Sequence, residues 1–114
     1  QYALSYPKRL PNAKTPLDLA KIKTLDFKEP DFENFPCIKY AYEAGKTGGT
    51  MPAAMNAANE AAVEAFLENK IRFLDIQRLI RKTMDWHESI NNPSLREIIE
   101  ADNNAKEKTK ELIS

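Results

Sequence analysis

The sequence predicts a mainly α protein: an antiparallel four-helix bundle preceded by an extended, proline-containing linker and a short helical remnant. Three observations carry this. The stretch from Gly48 to Leu67 has alanine at positions 53, 54, 57, 58, 61, 62 and 65, placing the strongest helix former in recurring small pairs. Pro7, Pro11, Pro16 and Pro30 interrupt the first part of the chain, where no long helix can form. Ser94-Leu95-Arg96-Glu97, just after the turn residues Asn91-Asn92-Pro93, is a capping box that opens one more helix.

Taken in order, Gln1 to Tyr6 reads as a piece of helix with Tyr2 and Tyr6 one turn apart, but without an N-terminal cap. Pro7 ends it. A chain that opens inside a helix, with no initiating methionine, is expected to be a fragment. From Lys8 to Asn34 the prolines favour extended backbone, and Pro11 to Pro30 can span roughly 65 Å at ~3.3 Å per residue. Leu17, Leu19, Ile22, Leu25 and Phe27 are too apolar for a solvated linker. This segment is therefore expected to lie on a surface, either its own bundle or, preferably, a second copy of the chain. Residues 23–27 form a candidate strand that could pair with its counterpart.

Pro36 can start a first bundle helix reaching Ala44, with Ile38, Ala41 and Tyr42 inward and Gly45 as the stop. In the alanine-rich second helix Thr50 is the N-cap, Pro52 sits in the first turn, and the end falls near Asn69-Lys70. Ala54, Ala58, Ala61 and Ala65 are expected at a close helix–helix contact, with Met51, Met55, Val63, Phe66 and Leu67 supplying bulk and Glu68 facing outward. The third helix begins near Leu74-Asp75 and separates Ile76, Leu79, Ile80, Thr83 and Met84 from Arg78, Arg81, Lys82 and Asp85. Leu95, Ile98, Ile99, Ala101, Leu112 and Ile113 make the apolar stripe of the last helix, with a bend or restart expected at Asp102-Asn103-Asn104. Four helices joined by short loops favour antiparallel neighbours.

The 114 residues carry 17 acidic and 17 basic side chains, so nothing predicts an electrostatic grip on nucleic acid or an anionic membrane. No apolar run approaches the roughly 20 residues of a membrane span, and no signal segment is read at the N-terminus. The single cysteine, Cys37, excludes an internal disulfide and fits a reducing, cytoplasmic setting.

Candidate chemistry is sparse. His87, the one histidine, falls near the end of the third helix, where the dipole favours a cation; a structural or exposed role is preferred to catalysis. Cys37 lies at a helix start, which can lower a thiol pKa, but half-buried packing is the better reading. Glu60, Glu64 and Asp75 could approach a metal across facing helices, yet the Glu-x-x-His pair of such sites is missing. Gly45-x-x-Gly48-Gly49 shares only its glycines with a phosphate loop and reads as a helix-to-helix turn. Asn56 and Asn59 are poor helix formers inside the best helix, so one is expected to face the core and bond a loop backbone. Trp86 either caps the bundle's end or, with Tyr40 and Tyr42, marks a contact surface. No catalytic, cofactor-binding or metal residue is assigned.

The order of motifs carries a resemblance. Gly48-Gly49-Thr50-x-Pro52-Ala53-x-x-Asn56-Ala57-Ala58-Asn59-Glu60 resembles the C-terminal region of the 1-deoxy-D-xylulose 5-phosphate reductoisomerase family. Pro16-Leu17-Asp18 and Leu25-Asp26-Phe27-x-x-Pro30-Asp31 are similar to that family's linker. Phe35-Pro36-Cys37-Ile38 resembles the opening of its last domain, and Ile71-Arg72-Phe73-x-Asp75-Ile76 follows the alanine helix as in the family. The similarity weakens after about Asp85, and Met55 stands where the family often has leucine.

The resemblance implies an enzyme that converts 1-deoxy-D-xylulose 5-phosphate to 2-C-methyl-D-erythritol 4-phosphate with NADPH and Mg²⁺ or Mn²⁺, in the non-mevalonate route to isoprenoids. Such enzymes have a dinucleotide-binding domain, a central catalytic domain that forms a homodimer, and a C-terminal helical domain. The family's nucleotide, metal and substrate-phosphate motifs lie upstream of the matching region. This chain is therefore expected to hold no cofactor and to be inactive alone. Residues 1–7 would end a helix of a missing catalytic domain, 8–34 would be the linker, and 35–114 the C-terminal four-helix domain. Its expected partners are the missing domains and, through residues 1–34, a second copy. The alternative is a free-standing helical protein-interaction module.

Overall fold

The structure, a computed structural model, describes residues 2–11 and 17–113. The expectations placed on Gln1, Pro16 and Ser114 lie outside the described residues. The described chain is mainly helical, with α1 (Tyr2–Ser5), α2 (Leu19–Ile22), α3 (Cys37–Thr47), α4 (Met51–Leu67), α5 (Phe73–Trp86) and α6 (Leu95–Ile113). Among the described residues no strand occurs.

The alanine helix is the hub. α4 touches α3, α5 and α6, and α5 touches α3 and α6, whereas α3 and α6 share no contact among the described residues. Ala54, Ala57, Ala58, Ala61, Ala62 and Ala65 are all buried, so methyl-sized side chains let three helices close on one. Ala58 packs with Ala44 of α3 and with Ile80 and Met84 of α5; Ala54 and Ala57 pack with Ala105 of α6. Leu79, Ile80, Thr83 and Met84 form the buried stripe of α5, as its periodicity predicts. Leu67, expected to add bulk, is exposed at the end of α4.

Three helix expectations are corrected. α3 runs through Gly45 and stops at Gly48, whose φ of +70° suits a residue without a Cβ. Its buried side is Ala44, flanked by half-buried Cys37 and Tyr40, while Ile38, Ala41 and Tyr42 face outward. The stripe at positions 37, 40 and 44 and the stripe at 38, 41 and 42 are both apolar; α4 presents small residues that seat the former. α6 continues without a break through Asp102-Asn103-Asn104. Asp102 does not restart it but pairs with Lys106 one turn on, at 3.0 Å, and Lys106 also reaches Glu60 of α4 at 3.0 Å.

Helix starts follow local chemistry. Ser94 and Glu97 form the expected capping box, the Ser94 N–H donating to Glu97 Oε2 at 2.7 Å and the Glu97 N–H to Ser94 Oγ at 3.3 Å. At α5 the Arg72 N–H donates to Asp75 Oδ2 at 3.0 Å.

The linker differs more. Residues 23–27 are not a strand; instead Asp18 caps α2, its Oδ1 accepting the N–H groups of Ala20 and Lys21 at 3.1 and 3.2 Å. Neither α1 nor α2 touches a long helix, and Leu17 and Phe27 remain 74% and 88% exposed. The backbones of α1 and α2, and the side chains of Leu17 and Phe27, thus stand largely clear of the long helices. The linker joins the helical unit at Asp31, whose Oδ1 accepts the Glu33 and Asn34 N–H groups at 3.1 and 3.0 Å. Phe35 then meets Phe73 edge-on at 6.5 Å, and Phe73 meets Phe66 at 5.8 Å.

Candidate functional site

The most elaborate polar arrangement ties the α3–α4 turn to the segment after α5. Gly48 and Gly49, at φ +70° and +56°, turn the chain so that Thr50 opens α4. Thr50 occupies the N-cap position but does not cap with its side chain. Its Oγ1 lies 2.8 Å from His87 Nε2 and accepts the Ile90 N–H at 3.0 Å. The Thr50 N–H donates back to the Ile90 carbonyl at 3.2 Å, and Ser89 Oγ donates to the Gly48 carbonyl at 3.1 Å. A Cβ on Gly49 would fall 2.2 Å from the Ile90 carbonyl oxygen, so the two segments approach as closely as backbone allows.

This placement makes His87 structural. Burial pulls its pKa below the ordinary 6.5, the reverse of the cation that its place at the end of α5 favoured. Thr50 is fully buried, and among the described residues its partner imidazole forms no ion pair with a carboxylate. Sequence reasoning could not find this pairing, because 37 residues separate the two side chains. Trp86, beside it, is 46% exposed, with Lys108 Nζ 5.8 Å above its ring. Tyr40 lies instead under Arg81, 5.2 Å from its ring, and does not join Trp86 in a surface cluster.

The remaining candidates separate. Cys37 is half-buried against the core and burial raises its thiol pKa, so the helix start does not activate it. Asn56 is exposed and its Nδ2 donates to Glu60 Oε1 at 2.9 Å; Asn59 is half-buried, and among the described residues neither amide bonds a loop backbone. Glu60 is committed to Lys106, which with Asn56 lowers its pKa, while Asp75 pairs with Arg78 at 3.2 Å. Arg81, expected on the outer face, bridges Glu43 of α3 at 2.7 Å and Asp85 at 2.6 Å and so fastens α3 to α5. An open groove of about 640 Å³ between α4 and α6 is lined by Glu60, Val63, Glu64, Leu67 and Lys106. Among the described residues no three His, Cys, Asp or Glu side chains converge on a point where a metal could sit, and no helix is long and apolar enough to cross a membrane.

Comparison with known proteins is extensive. A family model described as the DXP reductoisomerase C-terminal domain matches residues 1–108. The 1-deoxy-D-xylulose 5-phosphate reductoisomerase 1 of Bacillus cereus is 50% identical over 113 residues, covering 99% of this chain and 29% of that protein. The reductoisomerase of Geobacillus sp. (strain WCH70) is 58% identical over 104 residues, covering 90% of this chain and 27% of its own length. Among solved structures, the reductoisomerase from Zymomonas mobilis in complex with NADPH superposes with a TM-score of 0.88 at 42% identity, over 99% of this chain and 30% of that one. A DOX-P reductoisomerase with fosmidomycin and magnesium gives 0.85 at 32% identity, over 98% and 30%. The chain spans 29% of the length of the first of these relatives.

Proposed function

Because the chain belongs to the DXP reductoisomerase C-terminal domain family, we propose that it acts as the helical C-terminal part of a reductoisomerase. In that enzyme 1-deoxy-D-xylulose 5-phosphate is rearranged and reduced with NADPH, a divalent metal assisting, to 2-C-methyl-D-erythritol 4-phosphate for isoprenoid synthesis. The observation that carries this reading is the match of nearly the whole chain to under a third of a longer enzyme, in sequence and in backbone. That match favours the enzyme-domain reading over a free-standing interaction module.

Within the enzyme, residues 1–7 end a helix of the catalytic domain, 8–34 form the linker, and 35–114 form the C-terminal helical domain, its long helices arranged as an antiparallel bundle. The role of this part is structural. Glu60 and Asp75 are paired with Lys106 and Arg78, His87 is engaged with Thr50, and among the described residues no three His, Cys, Asp or Glu side chains converge, which supports a part that holds no divalent metal. Metal, nucleotide and substrate are accordingly held by the rest of the enzyme, which works in the cytoplasm as a homodimer. The exposed Leu17, Leu25 and Phe27 of the linker support this reading, since they suit a segment that lies along other domains.

The test is direct. The 114-residue chain, incubated with 1-deoxy-D-xylulose 5-phosphate, NADPH and Mn²⁺, should oxidise no NADPH above a protein-free control, and NADPH fluorescence should not change on its addition. Turnover by the chain alone overturns the proposal.

A further inference from the structure

Thr50 is fully buried, and its hydroxyl oxygen has two polar neighbours, His87 Nε2 at 2.8 Å and the Ile90 backbone nitrogen at 3.0 Å. The Ile90 N–H can only donate. The hydroxyl's own proton then has one acceptor left, the ring nitrogen, because a buried donor without a partner is costly. Nε2 is therefore the bare nitrogen, and Nδ1 carries the proton of a neutral ring.

That assignment makes the arrangement sensitive to acid. A proton added at Nε2 turns the acceptor into a donor: the ring N–H then takes the second lone pair of Thr50 Oγ1 across the 2.8 Å, beside the Ile90 N–H, and the Thr50 hydroxyl proton loses its partner where solvent does not reach. We propose that the joint between the α3–α4 turn and residues 87–90 is a proton-operated latch, closed by neutral His87 and opened locally when the ring takes up a proton. This goes beyond the domain's place in the enzyme and does not depend on it.

The surroundings leave the latch to the ring itself. On α5, Asp85 is engaged with Arg81, and Glu88 just beyond is exposed. On α6, Lys108 stands over the Trp86 ring; in α3, Lys46 of the last turn is exposed. Burial alone holds the imidazole pKa below 6.5. With the folded pKa depressed, the unfolded chain binds the proton more readily. The contribution of His87 is thus fully present above the unfolded value and is lost as pH falls through the folded one.

Nitrogen-15 NMR of the full 114-residue chain tests this. The expected result is an Nδ1–H tautomer at neutral pH and a His87 midpoint below 6.5. Protection factors of the Ile90 and Thr50 amides, corrected for intrinsic exchange, should fall about tenfold or more through that titration, while Ala58 and Ala61 inside α4 stay protected. In His87→Asn the Ile90 protection should lose its dependence on pH in this range. An Nε2–H tautomer at neutral pH, or Ile90 protection that ignores the His87 titration in the unmodified chain, overturns the proposal.

Discussion

Thr83 Oγ1 of α5 lies 2.8 Å from Thr109 Oγ1 of α6, and both residues are fully buried. The direction of the bond is determined, because Thr109 Oγ1 also donates to the Ala105 carbonyl at 2.8 Å. Its single proton is used there, so Thr83 is the donor and Thr109 the acceptor. Two similar residues consequently have unequal roles in one seam.

Valine at each site, matched in shape, should expose that inequality. Thr83→Val removes a donor and leaves Thr109 satisfied by Ala105, a loss of about 0.5–1.5 kcal/mol. Thr109→Val strands the Thr83 hydroxyl proton in the core and should cost about 1–3 kcal/mol. Urea unfolding of the two variants measures the difference; equal losses, or the reverse order, contradict the assigned direction.

The alanine face of α4 gives a second contrast. Ala58 is fully buried between Ala44, Ile80 and Met84, so Ala58→Leu overpacks the junction of three helices and should cost on the order of 1–3 kcal/mol. Glu68, exposed beside Lys70 at 2.6 Å, should tolerate alanine within about 0.5 kcal/mol. Denaturant melts showing similar losses for both would refute the assignment of faces.

These two seams also mark what the sequence could tell. The α4 stripe was legible because small residues one turn apart have a single efficient use, close packing. α5 was legible because its apolar and charged faces are cleanly separated. α3 was not, since Ile38, Ala41 and Tyr42 offer as good a stripe as Cys37, Tyr40 and Ala44, and only the facing surface of α4 decides between them. Asp102-Asn103-Asn104 looked like an interruption because the ion pairs that make Asp102 useful in a helix run through Lys106 to Glu60, far back in the chain. The cap at Asp18 was visible in principle, an acidic residue just before Leu19-Ala20-Lys21-Ile22, but the surrounding prolines argued for extended backbone. The Thr50–His87 joint had no local signal at all.

Two of the three glycines contrast sharply. At Gly49 a Cβ would meet the Ile90 carbonyl oxygen at 2.2 Å, and the backbone sits at φ +56°, a region that L side chains avoid. Gly49→Ala combines strain with the parting of two hydrogen-bonded segments, an expected loss of about 2–4 kcal/mol. Gly45 lies inside α3 with nothing within 4 Å of its Cβ position, so Gly45→Ala should stabilise by about 0.5–1 kcal/mol. Thermal melts of the pair should move in opposite directions. A destabilising Gly45→Ala would restore the helix stop that the sequence suggested at that position.

The linker supplies the last contrast. Neither α1 nor α2 approaches a long helix, and Leu17, Leu25 and Phe27 stand in solvent. Burying each such side chain is worth roughly 1.5–3 kcal/mol, so the segment gains by meeting a surface outside its own helices. In a solution of the chain alone, the available surface is a second copy. We expect the full chain to self-associate reversibly, and a fragment beginning at Asp31, which keeps the turn into α3, to remain monomeric. The same fragment should lose little stability in urea, because α1 and α2 approach no long helix and Leu17, Leu25 and Phe27 are exposed. Sedimentation velocity across a concentration series, run beside melts of both proteins, separates the possibilities. Two monomers with equal melts would refute association through the linker while sustaining its detachment. A fragment that melts markedly below the full chain would instead show that the linker does lie on its own helices in solution.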